Sequence, residues 1–347
     1  MDDRLYFSSD YQEGAHPAIL QRLLQTNLLH SPGYGTDEFC AAARSRIRDA
    51  CRCPEAEVHF LTGGTQTNAA VLNALLAPYE GVLAAETGHI AVHEAGAIEH
   101  GGHKVLPLPQ AQGKLSAGTL ERWLDLFFRD ENRDHLVWPG AVYLSQPTEW
   151  GTLYTLEELE AIHDVCSRYA LPIYLDGARL AYALACPEND VTLPDLARLC
   201  ACFYIGGTKC GALFGEAVVI PEPARMPHFF TVVKQNGALL AKGRILGLQF
   251  DTLFTDGLYQ TIGTPAIESA RAIRGALRAR GIPLAIDAPT NQVFPIWQTD
   301  ALPALRARVE YGFWENLDGG RTVIRLAASW ATTRADTERL CALIAAV

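Results

Sequence analysis

The chain has 347 residues, 49% of them hydrophobic and 20% charged, which is enough for one large domain or two of ordinary size around a substantial core. Its 29 basic and 39 acidic residues leave a net charge of −10, the wrong sign for a protein that gains affinity by neutralising nucleic-acid phosphates. No run reaches the ~18 apolar residues that span a membrane, and the opening Met1-Asp2-Asp3-Arg4-Leu5 lacks the basic and then apolar pattern of a secretory leader. Neither nucleic acid nor membrane is therefore an expected partner, and the expected location is cytoplasmic.

In chain order, helical periodicity marks residues 17–28, 37–51, 66–76, 91–97, 116–128, 155–169, 193–199 and 238–255. Between them lie β-branched or apolar runs at 58–61, 81–85, 104–108, 141–145, 172–175, 202–205 and 217–220, which read as buried strands. Strands this apolar, separated by helices, predict an α/β fold with a mostly parallel sheet covered on both faces. The polar stretch 130–134 and the proline-rich 221–227 read as surface loops. Near residue 260 the alternation ends in a long helix, 265–280, followed by strand 292–297, helix 302–309, strand 323–328 and helix 334–347. The pattern predicts a large domain over 1–259 and a small α+β domain over 260–347 with a short antiparallel sheet.

Nine cysteines occur with no Cys-x-x-Cys pair, so buried free thiols are expected in preference to disulfides or a zinc site. His89, His93, His100 and His103 crowd one stretch, but no His-Glu-x-x-His spacing is present and Gly101-Gly102 interrupts any helix, so no metal is expected.

The most informative segment is Phe203-Tyr204-Ile205-Gly206-Gly207-Thr208-Lys209, where an apolar strand runs into small residues and stops at a lysine. Small residues let backbone approach a bulky ligand, and a desolvated lysine loses basicity and becomes a nucleophile toward an aldehyde. An ordinary surface-loop lysine is the competing reading. A second apolar strand ends in Asp176-Gly177-Ala178-Arg179, and a carboxylate at the carboxyl end of a parallel strand is placed to meet a ligand. Thr62-Gly63-Gly64-Thr65 follows a third strand and opens a helix, whose free N–H groups suit a phosphate, although such a turn can also be a plain helix start. A lysine, an acid and phosphate donors are the three things that pyridoxal phosphate needs.

These segments resemble the threonine aldolases, within the β-eliminating lyases of the fold-type-I pyridoxal-phosphate enzymes. The likeness runs through nearly the whole chain and is carried by Ser8-Ser9-Asp10, Gly33-Tyr34-Gly35-Thr36-Asp37, Gly64-Thr65, His89-Ile90 with Glu94, Asp176 to Leu180, Gly207-Thr208-Lys209, and Arg325-Leu326 with Ser329-Trp330. It implies an aspartate-aminotransferase-like large domain, with segment 1–15 contributing to the active site. Lys209 is then the Schiff-base lysine and Asp176 the partner of the pyridine nitrogen. His89 stacks on the cofactor ring and is the leading base for the β-hydroxyl, directly or through a water. Gly64 and Thr65, with Thr208, hold the phosphate. Arg179, Arg325 and Ser9 hold the substrate carboxylate, a task that suits an arginine fork. Tyr34, as a substrate contact, and Arg244, as a cofactor contact like Arg179, match regions that reach a neighbouring subunit's site, which implies a homo-oligomer built of dimers, often a tetramer, with shared active sites.

The resemblance implies retro-aldol cleavage of L-3-hydroxy-α-amino acids, such as threonine, allo-threonine or phenylserine, to glycine and an aldehyde. β-Elimination, a transaldolase reaction and a non-catalytic relative of the fold are the alternatives. One departure concerns the loop after strand 141–145, where the best-known pattern carries a second histidine and this chain reads Gln146-Pro147-Thr148-Glu149-Trp150. Glu149 can take the base's role if burial raises its pKa, and Trp150 can line a pocket for an aromatic aldehyde.

Overall fold

The computed structural model describes residues 4–346, so residues 1–3 of the expected N-terminal segment and the final Val347 lie outside the described residues. Twelve strands are present among them: β1 (Leu5–Phe7), β2 (Glu57–Leu61), β3 (Glu80–Ala85), β4 (Val105–Leu108), β5 (Trp138–Ser145), β6 (Ile173–Asp176), β7 (Cys202–Gly206), β8 (Glu216–Ile220), β9 (Gln292–Val293), β10 (Ile296–Gln298), β11 (Val309–Leu317) and β12 (Arg321–Ala327). The first sheet has the order β2-β8-β7-β6-β5-β3-β4. β8 runs antiparallel to both β2 and β7, and the remaining pairs are parallel. Two antiparallel steps restore the direction of β2, so the carboxyl ends of β2, β3, β5, β6 and β7 open on one edge, where α/β sheets bind ligands.

The apolar runs are continuous because both faces are covered. Leu83, Val142, Leu144, Leu175 and Ile205 face one cluster, which includes Ala43 and Ile47 of helix Glu38–Cys51. Val82, Ala84, Tyr143, Tyr174 and Tyr204 face the other, with Val71 and Leu72 of helix Gly64–Leu75. The period-2 alternation of a strand divides neighbouring residues between these cores. It also sends Asp176, two residues beyond Tyr174, toward the side where helix Gly64–Leu75 lies. Seven of the nine cysteines are buried free thiols.

The second sheet has the order β1-β11-β12-β10, with β9 also pairing with β12. Two of its strands, β1 and β11, lie outside the predicted elements. β11 alternates buried with half-buried or exposed residues, so no apolar run marks it, and the helix expected over 302–309 stops at Arg306. β1 is three residues long and pairs parallel with β11, which makes the sheet mixed where an antiparallel one was expected. Leu5, Phe7, Val309, Tyr311, Ile324 and Leu326 share its core. The strand expected over 292–297 is divided into β9 and β10.

Among the helices, the one expected over 91–97 is replaced by two short turns, His89–Val92 and Ala97–His100. Positive φ at Ala95 (52°) and Gly96 (75°) breaks it there. The helix expected from 238 starts at Arg244, and helices Leu180–Leu184 and Phe229–Gln235 have no predicted counterpart.

Candidate active site

Two strand-end loops touch because each carries glycine. A Cβ on Gly177 would collide with the Tyr204 carbonyl, and one on Gly206 with the Ala178 carbonyl. This contact brings Lys209, after β7, and Asp176, at the end of β6, into one pocket with Gly64, Asn68, His89, Glu149 and Arg179. The lysine loop is pinned from behind. Tyr259 Oη donates to Gly206 O at 2.8 Å and Tyr182 Oη to Lys209 O at 2.6 Å, while Glu216 accepts from Gly207 N–H at 3.0 Å and Thr208 Oγ1 at 2.7 Å. Burial raises the Glu216 carboxyl to about 7, against the opposing pull of Thr208 and Lys209.

Lys209 has no hydrogen-bond acceptor among the described residues, and burial, followed by the Arg179 guanidinium, pushes its ammonium below the ordinary lysine range. That favours the neutral, nucleophilic amine. Asp176 behaves in the opposite sense. Burial would raise its carboxyl, but His89, the Tyr143 hydroxyl and the Ala178 N–H outweigh that and hold it below its ordinary value. Tyr143 Oη donates to Oδ2 at 2.6 Å and Ala178 N–H to Oδ1 at 2.9 Å.

His89 is oriented by Glu94, whose Oε1 lies 2.7 Å from Nδ1 and also accepts from Asn68 Nδ2 at 2.6 Å. The carboxylate accepts, so Nδ1 carries the proton of this bond, and in the neutral imidazole Nε2 is then the nitrogen with the lone pair. Glu149 Oε1 accepts from Ser145 Oγ at 2.7 Å and from the His89 backbone N–H at 3.0 Å. Burial, with a further push from Asp176, raises the Glu149 carboxyl. Trp150 does not share this lining. Its ring packs 5.0 Å from both Phe294 and Trp314, which corrects the expectation that it lines the pocket.

The predicted carboxylate-binding residues divide. Arg179 gives Nε and Nη2 to Asp10 at 2.6 and 3.0 Å, so part of its fork is committed to a buried partner. Arg325 gives Nη2 to Ser8 O at 2.9 Å and Nη1 to Gln292 Oε1 at 3.3 Å, yet its buried Nε has no partner among the described residues, and neither has Ser9 Oγ. Buried polar atoms without partners are uncommon and call for an explanation, of which a bound group is one.

The structure also corrects Thr208. Its hydroxyl donates to Glu216 and accepts from Gly215 N–H at 3.0 Å, so it is not free for a phosphate. Thr65 is exposed, beside Gly64 on the same helical turn. Tyr34 and Arg244 lie outside the pocket: Tyr34 is exposed with Lys234 over its ring at 4.6 Å, and Arg244 binds the carbonyls of Thr26 and Leu29.

The donor set fits pyridoxal phosphate. Helix Gly64–Leu75 begins at Gly63 without a side-chain cap, so its first N–H groups are available to an anion. Lys209, whose Nζ lies 6.0 Å from the Tyr11 ring centroid without a hydrogen-bond acceptor among the described residues, and the ionised Asp176 line the same pocket. Sequence reasoning assigned no role to Asn68, Tyr143, Ser145 or Glu216; a polar residue opening or interrupting an apolar run, as Glu216 does at the head of β8, was the available signal. Among the described residues no three His, Cys, Asp or Glu side chains are grouped to hold a metal.

Comparison with known proteins agrees with this geometry. The Beta-eliminating lyase family matches residues 7–340. The low specificity L-threonine aldolase of Pseudomonas sp. (strain NCIMB 10558) is 30% identical over 353 aligned positions, covering 100% of this chain and 99% of the relative. The structure of Leishmania major threonine aldolase superposes with a TM-score of 0.95 at 42% identity and 98% coverage of both chains. Aspartate aminotransferase from Thermus thermophilus, at 15% identity and a TM-score of 0.72 over 99% of this chain and 91% of its own, shares the fold. The chain therefore belongs to the β-eliminating lyase family.

Proposed function

We propose that the protein is a pyridoxal-phosphate-dependent lyase that cleaves L-3-hydroxy-α-amino acids, threonine and allo-threonine among them, between Cα and Cβ to give glycine and an aldehyde. The observation that carries this reading is the pocket shared by Lys209, whose Nζ has no hydrogen-bond acceptor among the described residues, an ionised Asp176 and a His89 whose Nδ1 is engaged by Glu94. The bound cofactor supplies an electron sink for the pair released when that bond breaks.

The residues divide the work. Lys209 would hold the cofactor through its amine, Asp176, ionised, would keep the ring nitrogen protonated, and Gly64 and Thr65, at the uncapped helix start, would hold the phosphate. Ser9 Oγ and the Arg325 guanidinium, which keep unpartnered buried atoms, hold the substrate carboxylate, and Arg179 adds the part of its fork that Asp10 leaves free. His89 Nε2 takes the β-hydroxyl proton, and the Glu94 carboxylate stabilises the imidazolium that results.

The division into domains over 1–259 and 260–347 is supported by the two sheets, with β1 crossing into the second. A homo-oligomer built of dimers is supported by Tyr34 and Arg244, which lie outside the pocket of their own chain. No helix among the described residues is long and apolar enough to cross a membrane, and a cytoplasmic location is proposed.

The test is glycine and aldehyde release by the cofactor-loaded protein from L-threonine, L-allo-threonine and phenylserine, with pyruvate followed from serine. Glycine with its matching aldehyde is expected. Pyruvate without glycine would place the chain among the eliminating members of its family.

A further inference from the structure

We propose that Asn68 is a positioning residue that couples the two halves of the site, joining Asp176 and the Glu94–His89 pair through one amide group. The proposal rests on the roles given above to Asp176 and His89. Asn68 Nδ2 carries two N–H groups and faces two carboxylates, Glu94 Oε1 at 2.6 Å and Asp176 Oδ2 at 3.2 Å. Its Oδ1 accepts from Tyr174 Oη at 2.7 Å. This assignment has one sense only, because reversing the amide would turn its carbonyl toward two anionic oxygens.

Asn68 is fully buried, and Asp176 and Glu94 are 5% and 6% exposed. Two like charges in a dry site stay ionised together only if donors reach both. Asp176 has other donors in Tyr143 and Ala178. Glu94 has fewer: its Oε2 is buried without a partner among the described residues, and Oε1 depends on Asn68 and His89. The amide therefore transmits the state of one carboxylate to the other.

Among the described residues no other single side chain hydrogen-bonds to both Glu94 and Asp176. Tyr143, Tyr174 and Tyr204, facing Asp176 from β5, β6 and β7, are kept neutral by burial, which pushes each phenol well above its ordinary range. Glu149, from the loop after β5, reaches Asp176 by a longer route, through Ser145 Oγ at 2.7 Å and the Tyr143 hydroxyl 3.3 Å beyond it, whereas Glu216, at the head of β8, acts through space as a like charge. The basic side chains near the two carboxylates are His89, Lys209 and Arg179. None of these three hydrogen-bonds to both.

The experiment is a double-mutant cycle of Asn68→Ala and Glu94→Gln, with the near-isosteric, neutral Asn68→Leu as a second variant in case the alanine chain folds poorly. The readouts are the pH dependence of the cofactor-loaded protein's visible absorbance without substrate, and the acid limb of glycine release from L-threonine. The expected result is that both move upward by about one pH unit in Asn68→Ala or Asn68→Leu, as the loss of a donor to each carboxylate requires, and that the shifts in the absorbance cycle are non-additive. A purely structural Asn68 would lower thermal stability while leaving both pH dependences in place, and that outcome, or additivity in the cycle, would overturn the proposal. The absorbance arm uses no substrate, so a wild-type protein that released no glycine would sink the proposed reaction while the coupling was still judged on absorbance.

Discussion

Asp10 and Arg179, 169 positions apart in the chain, meet as a buried ion pair in which Nε and Nη2 reach the two carboxylate oxygens at 2.6 and 3.0 Å. Asn291 Nδ2 adds a third donor to Asp10 at 2.9 Å. The pair ties the N-terminal segment to the loop after β6 at the point where Lys209 and Arg325 also gather, and it fixes which part of the Arg179 fork remains for a ligand.

Removing one member leaves the other charged and buried, so Asp10→Ala should lose about 3–5 kcal/mol of stability. The pH dependence has a definite sign. Burial would raise the Asp10 carboxyl, but Arg179 and then Lys209 bring it down to about 2 from 3.8. A depressed carboxyl stabilises the fold above its unfolded pKa, and that contribution, about 2 kcal/mol, is lost as pH falls from about 4 to 2. Urea unfolding at a series of pH values should show wild type losing more stability over that interval than Asp10→Asn. Parallel curves would remove the ion pair from this role.

Lys209→Ala should bind cofactor without forming the lysine's covalent bond, giving the absorbance of free pyridoxal phosphate and no measurable turnover. Spectra before and after dialysis, with a glycine assay, check both. Appreciable turnover in this variant would take Lys209 out of the mechanism.

His89→Phe keeps an aromatic ring and removes the base. The kcat for threonine cleavage should fall by about 10²–10⁴-fold, the usual contribution of a positioned general base, while the cofactor dissociation constant changes little. A small fall in kcat, with Glu149→Gln giving the large one, would move the base to Glu149.

Trp314, on β11, packs 4.8 Å from Phe294 and 5.7 Å from His93, and its ring lies 5.9 Å from the Arg325 guanidinium carbon. Trp150 stands behind it, against the same Phe294. Truncating Trp314 to Ala should therefore lower phenylserine turnover relative to threonine by more than truncating Trp150 does. Competition between the two substrates measures the ratio; equal effects of the two substitutions would mean that the cluster acts only as packing.

The large sheet was legible in the sequence because its strands are buried on both faces and leave continuous apolar runs, 81–85, 141–145 and 202–205 among them. β11 was not legible, since a half-exposed strand alternates weakly and its partner β1 lies some 300 residues earlier, as the Leu5–Val309 pairing shows.

The site divides in the same way. Lys209, Asp176 and Gly64 were marked by local sequence, an apolar strand ending in small residues and then one reactive group, because a strand's carboxyl end is a local feature. The partners of those groups were decided only by folding. Asn68 reaches Glu94 and Asp176, Asp10 engages Arg179, and the Thr208 hydroxyl turns to Glu216. A side chain's hydrogen-bond partner depends on which elements pack against it, and spacing along the chain does not contain that information.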